Sequence, residues 1–194
     1  LQFAICNLQS IYGVIALNHD PDAPIFLIGY RGTGKSSVAR ELAQRLRYDW
    51  VDADDEIERR TGKTIAAIFA EEGESAFRAL ESQLILELCG LRRTVVALGG
   101  GAVLREENRQ SIAGAGPVVW LTASVDAIQQ RLADDRSTAG RRPNLTAAGG
   151  RAEIETLLAE RTPLYRACAT LEVDTEGRAP AEVADAIVSL LSVP

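Results

Sequence analysis

Apolar residues along this chain follow two alternating rhythms. Residues 24–29 form a short unbroken run, Ile25-Phe26-Leu27-Ile28, entered by Pro24 and left by Gly29. Residues 94–98 and 117–121 repeat that form. Runs of this length have no polar face, so they predict strands buried on both sides. Trp50-Val51 and residues 170–173 add two briefer strands. Between the runs, apolar residues return at helical spacing. Val38, Leu42 and Leu46, with Ala39 and Ala43, make one face of a helix whose other face carries Arg40, Glu41, Gln44 and Arg45. The same spacing predicts helices through Ile57, through Ile65, Ile68 and Phe69, over 106–112, and through Val125, Ile128 and Leu132. Two more pass through Ile154, Leu157, Leu158 and Tyr165 and through Val183, Ile187, Leu190 and Leu191. Phe77, Leu80, Leu84, Leu88 and Leu91 predict one long amphipathic helix, and Thr162-Pro163 predicts a break.

Strand–helix alternation implies a parallel sheet covered on both faces, an α/β architecture of three layers with ligands gathering outside the carboxyl ends of the strands. Residues 137–151 interrupt the rhythm. They are small and polar, with Gly140, Gly149 and Gly150 near the ends and Arg141-Arg142-Pro143 inside, which makes them a lid candidate. Residues 1–24 are expected to be a poorly ordered extension or a residual tag. They have no basic leader region, and their apolar stretch is shorter than the ~20 residues that span a bilayer.

Composition narrows the function classes. At 194 residues the chain fits one domain, and 46% apolar with 25% charged residues is ordinary for a globular protein. A net charge of −6 argues against a sequence-independent nucleic-acid binder, which needs a surplus of Lys and Arg. Three cysteines without CxxC spacing suggest reduced thiols, and a single histidine, His19, leaves no material for a His-based metal site or a Ser-His-Asp triad. A cytoplasmic protein is expected.

The firmest local signal is Gly29-Tyr30-Arg31-Gly32-Thr33-Gly34-Lys35-Ser36, a G-x-x-x-x-G-K-S sequence between a strand and a helix. Its backbone N–H groups are expected to cradle phosphates, with Lys35 on the β- and γ-phosphates and Ser36 on Mg²⁺. Asp52 and Asp54 follow the second strand. On an extended backbone they point the same way, Asp52 toward the water shell of Mg²⁺ and Asp54 toward an acceptor hydroxyl as orienting group and proton acceptor. Asp55 and Glu56 are expected to cap the next helix. The third strand runs into Gly99-Gly100-Gly101 where many NTPases carry an acidic residue, and no guanine-reading NKxD appears, which weakens a molecular-switch reading. Arg78 and Arg161, if convergent, suit bidentate capture of a carboxylate.

In order and spacing these features resemble the shikimate kinase family: the P-loop, Asp52-x-Asp54, Ile68-Phe69, residues 73–78 ending in Phe77-Arg78, the triple glycine, Arg-Arg-Pro, and Arg161-Thr162-Pro163-Leu164-Tyr165. The resemblance runs from about residue 25 to the end. It implies a nucleoside-monophosphate-kinase-like fold with a five-stranded parallel sheet of order 2-3-1-4-5, a shikimate-binding region near 53–80, a lid near 137–151, and a monomer acting on shikimate and ATP with Mg²⁺, away from nucleic acid and membranes. It further implies that Gly32, Thr33, Gly34, Lys35, Ser36 and Ser37 hold the ATP phosphates and that Arg142 reaches ATP from the lid. Arg131 and Arg178 would border the adenine. Asp54, Arg78, Gly100, Gly101 and Arg161 would bind shikimate, Glu81 would orient Arg78 as an i,i+3 partner, and Phe69 and Phe77 would lie near the acceptor ring. The lid reads Arg-Pro-Asn-Leu where the family usually has Arg-Pro-Leu-Leu, a departure that bears on lid packing, and the adjacency of Arg141 and Arg142 leaves open which of them contacts ATP. The competing readings are another small-molecule kinase of this fold, such as a gluconate kinase, a non-catalytic ATP-binding relative, and an NTP-driven switch.

Overall fold

The computed structural model describes residues 20–134 and 149–191. Five strands form one parallel sheet in the order β2-β3-β1-β4-β5. In chain order the elements are β1 (Ile25–Ile28), α1 (Lys35–Leu46), β2 (Asp49–Asp52), α2 (Ala53–Thr61), α3 (Ile65–Glu71), α4 (Gly73–Leu88) and β3 (Thr94–Ala97). A 3₁₀ turn (Ala102–Leu104) leads into α5 (Glu106–Ala115), β4 (Val118–Thr122), α6 (Val125–Asp134), α7 (Gly150–Cys168), β5 (Leu171–Asp174) and α8 (Pro180–Leu191).

The unbroken apolar strands divide their side chains between two cores, as the two-residue period requires. Ile25 and Leu27 join Val95, Ala97, Val119 and Leu121 against α1 and α8, through Val38, Leu42, Val183 and Ile187. Phe26 and Ile28 join Val96, Val118 and Trp120 on the opposite face, under α4, α5 and α7, through Ile85, Ile112 and Tyr165. A smaller cluster, Tyr30 with Ile128, Ile154 and Leu157, ties the loop after β1 to α6 and α7. The sheet is parallel, so the loops that follow all five strands leave it at the same, carboxyl end.

Three local expectations are corrected. Leu91 lies beyond the helix that was to contain it, because α4 stops at Leu88 and Gly90 turns the chain. Thr162-Pro163 does not break α7, which runs through Pro163 to Cys168. The interior proline costs about 3 kcal/mol, but the turn after it seats the fully buried Tyr165 on Trp120, with ring centroids 5.8 Å apart, and buries Cys168. The third concerns Asp52 and Asp54, which do not share an extended backbone. β2 ends at Asp52 and α2 begins at Ala53, so Asp52 itself caps the helix, accepting from the N–H groups of Asp54 and Asp55 at 2.9 and 3.4 Å. Asp55 and Glu56 lie in the first turn of α2, where acidic residues were expected, and Glu56 also pairs with Arg59 and Arg60.

Among the described residues no helix is long and apolar enough to cross a membrane. Residues 1–19, most of the expected N-terminal extension, and 135–148, nearly all of the expected lid with Arg141 and Arg142, lie outside the described residues.

Candidate active site

The site begins where β1 gives way to α1. Gly29, Gly32 and Gly34 all have positive φ, at 141°, 81° and 89°. At Gly29 the space is closed as well, since a Cβ would run into the carbonyl oxygen of Leu121. Gly34 stands at the N-cap of α1 without a side-chain cap. No side chain caps the first turn of α1, and the helix dipole brings its positive end to the loop. Lys35 folds back over the loop, donating to the carbonyl oxygens of Gly29 and Tyr30 at 2.9 Å each. Thr33 closes the turn through a 2.8 Å bond to Tyr30 O.

On one side of this loop lies a cleft of about 790 Å³ lined by Gly32, Thr33, Gly34, Ser37, Arg131 and Arg178. Arg131 is fixed there by Gly32 O at 3.3 Å, Thr175 Oγ1 at 2.9 Å and Thr175 O at 2.6 Å. Arg178 rests on the carbonyls of Asp174 and Glu182 at 3.2 and 3.0 Å. Every expected ATP-contact residue within the described chain therefore falls on this loop or this cleft. The Ser36 hydroxyl donates to Asp52 Oδ2 across the end of β2. A hydroxyl and a carboxylate so juxtaposed are hard oxygen donors of the kind Mg²⁺ prefers.

On the other side of the loop lies a second cleft, about 570 Å³, walled by Asp54, Arg78, Glu81, the triple glycine, Phe69, Phe77 and Arg161. The Phe69 and Phe77 rings meet at 4.9 Å and give it an apolar side. Arg78 donates to Glu81 at 2.7 Å and to Glu74 at 3.1 and 3.2 Å. Burial works against the Arg78 charge, but these carboxylates more than offset it and hold its pKa up. Burial pushes Glu81 up to about 7, against the pull of Arg78 and with the help of Asp54. Arg161, also buried, donates to Gly100 O at 3.3 Å, and its Nε has no hydrogen-bond partner among the described residues. Tyr165 donates to the same carbonyl at 2.5 Å, and burial raises its pKa to about 12.

Two of the three glycines are explained by space around the protein's own side chains. A Cβ at Gly99 would come within 2.7 Å of Asp54 Oδ1, and one at Gly101 would clash with the Arg78 guanidinium, whereas one at Gly100 would make only ordinary contacts. Sequence reasoning assigned Asp54, Arg78, Gly100 and Arg161 to one ligand, and they do share one cleft. It missed Arg31, Ile65 and Tyr165 as parts of that wall or its support. Arg31 occupies a freely variable position of the P-loop motif, so the motif itself carries no signal for it.

A P-loop with a nucleotide-sized cleft on one side and a cationic, carboxylate-bearing cleft on the other, set on a 2-3-1-4-5 sheet, defines a small-molecule phosphotransferase of the P-loop kinase class. Residues 31–192 match the shikimate kinase family, and the chain belongs to that family. It is 47% identical to the shikimate kinase of Rhodopirellula baltica over 164 residues, covering 84% of this chain and 88% of that protein. The shikimate kinase of Thermobifida fusca is 45% identical, with 85% and 92% covered. Among solved structures, shikimate kinase from Acinetobacter baumannii in complex with shikimate superposes with a TM-score of 0.82 at 37% identity, covering 87% of this chain and 92% of that one. A gluconokinase from Sinorhizobium meliloti shares the fold alone, with a TM-score of 0.58 at 18% identity.

Proposed function

We propose that this chain transfers the γ-phosphoryl group of ATP to the 3-hydroxyl of shikimate, releasing ADP and shikimate 3-phosphate, a step of chorismate and aromatic amino acid synthesis. The observation that carries this is the convergence of Asp54, Arg78 and Arg161 on one cleft beside the P-loop. Two guanidinium groups suit a small carboxylate, a carboxylate opposite them suits the ring hydroxyls, and Phe69 and Phe77 offer an apolar face to the ring.

In this reading the loop N–H groups and Lys35 hold the β- and γ-phosphates. On ATP binding the Lys35 ammonium leaves the carbonyls of Gly29 and Tyr30 and turns to phosphate oxygens. Arg78 and Arg161 clamp the acceptor carboxylate, which aims one hydroxyl at the γ-phosphorus. Asp54 accepts the proton of that hydroxyl as the O–P bond forms and the bond to the β,γ-bridging oxygen breaks. Transfer is direct and in line, without a phosphoenzyme. Ser36 and Asp52 would hold Mg²⁺, Asp52 through its water shell, and the ion supplies neutralisation of phosphate charge. Arg142, outside the described residues, is assigned to ATP from the family resemblance. The protein is proposed to work as a monomer in the cytoplasm.

The test is ADP release with MgATP and shikimate, gluconate or no acceptor. Turnover that depends on shikimate supports the assignment. Equal release without acceptor overturns it in favour of simple nucleotide hydrolysis, and a preference for gluconate overturns the substrate.

A further inference from the structure

The P-loop is split between the two clefts. Gly32, Thr33, Gly34 and Ser37 line the nucleotide side, while Arg31 lines the acceptor side with Asp54 and Arg161. The Arg31 guanidinium lies 5.9 Å from the centre of the Tyr30 ring, and that of Arg161 lies 6.0 Å from the same ring. Tyr30 is buried and packed on Ile128, Ile154 and Leu157, so it is a rigid platform shared by two cations.

Arg31 donates through Nη2 to Glu153 Oε1. The Glu153 side chain is fully enclosed and that of Arg31 is 16% exposed. Enclosing a carboxylate in the first turn of α7 is costly in desolvation and is recovered only with good geometry. A merely stabilising tie at this place needs no buried charge, whereas holding a guanidinium at a cleft wall does.

We infer that Glu153 is a positioning residue for the acceptor: it fixes Arg31 against the cleft, so that Arg31 becomes a third cation holding shikimate from the P-loop side. The position of α7 then sets both Arg31, through Glu153, and Arg161, through its own eighth-residue spacing on the same helix. One helix aligns two of the three arginines with a single ligand.

This inference rests on the shikimate reading, and the experiment separates the two. Steady-state kinetics and thermal melting are measured for the wild type, Glu153→Gln, Arg31→Ala and the Arg31→Ala/Glu153→Gln double variant. Glu153→Gln and Arg31→Ala are each expected to raise the shikimate KM about tenfold, the scale of one charge-assisted contact, with kcat and the ATP KM within about twofold of wild type. The double variant is expected to do no worse than either single change, because both remove the same contact. Variants that melt earlier but keep the wild-type shikimate KM, or that raise both KM values alike, show a structural tie and overturn the inference. Multiplying effects in the double variant also overturn it. If Glu153→Gln fails to fold, an unchanged shikimate KM in Arg31→Ala overturns it alone. A wild type without shikimate-dependent ADP release overturns the shikimate reading and this one together, whereas an active wild type with indifferent variants overturns only this one.

Discussion

Arg78 donates to the carboxylate of Glu81 one turn further along α4, at 2.7 Å, with the Glu81 side chain sealed from solvent and its second oxygen without a hydrogen-bond partner among the described residues. The enclosure outweighs the ion pair in setting the titration, and Glu81 is lifted to about 7 from an ordinary 4.5. Folded protein therefore holds a proton at pH values where the unfolded chain has released it. That stabilisation is fully present below the unfolded pKa and is lost as pH rises through about 7. Glu81→Gln keeps a hydrogen-bonding side chain but removes the titration. Between about pH 5 and pH 8 the wild type is expected to lose stability relative to Glu81→Gln, measured by denaturant unfolding of both. Parallel stability profiles would remove Glu81 from the titrating groups.

Gly101 is the tightest point of the triple glycine, because a Cβ there would lie 2.4 Å from both terminal nitrogens of Arg78. Gly101→Ala is expected to displace Arg78 and raise the shikimate KM about tenfold, with the ATP KM little changed. Gly114→Ala is the matched control, since its Cβ meets nothing within 4 Å and the position is helical. That change is expected to raise stability by about 0.4–1 kcal/mol. Equal kinetics for the two variants would mean that Arg78 yields without consequence.

Arg161 and Asp54 line the same cleft but are assigned different work. Arg161→Ala removes a ground-state contact and is expected to raise the shikimate KM while leaving the ATP KM nearly intact. Asp54→Asn keeps the shape and a hydrogen bond but removes the base, so its loss is expected in kcat, by about 10²-fold or more. Initial rates over both substrates separate these outcomes. Loss of both substrates' affinity in Arg161→Ala sinks its role, and full turnover in Asp54→Asn removes that residue from proton transfer.

The centre of the sheet was legible because β1, β3 and β4 are short apolar runs bounded by turn residues, and the edge strands β2 and β5 followed from the alternation with helices. The P-loop was legible because its glycines, lysine and serine each answer a requirement of phosphate binding. Arg78 and Arg161 are different. Each is an isolated charge on a helix, and only the resemblance joined them, because the contact between distant segments is a tertiary fact. Arg31 and Glu153 lie 122 positions apart and had no motif to mark them. Pro163 was misread because local propensity signals a break, while burial of Tyr165 and Cys168 decides the outcome. Asp52 was half read, since its distance from Asp54 in sequence held but the strand ended one residue too soon for the two to point alike.

That early end gives Asp52 two separable duties. Oδ1 caps α2 through the N–H of Asp54 at 2.9 Å, and Oδ2 accepts from the Ser36 hydroxyl. Asparagine caps a helix about as well as aspartate but carries no charge for a cation. Asp52→Asn is therefore expected to melt near the wild-type temperature while requiring about tenfold more Mg²⁺ for half-maximal turnover at fixed ATP. Asp52→Ala loses the cap as well and is expected to cost about 1 kcal/mol of stability in addition to the same kinetic defect. Melting curves and Mg²⁺ titrations on the two variants separate the duties. An Asp52→Asn enzyme with the wild-type Mg²⁺ dependence would leave the residue a cap only, and Ser36 would then have to hold the ion without it.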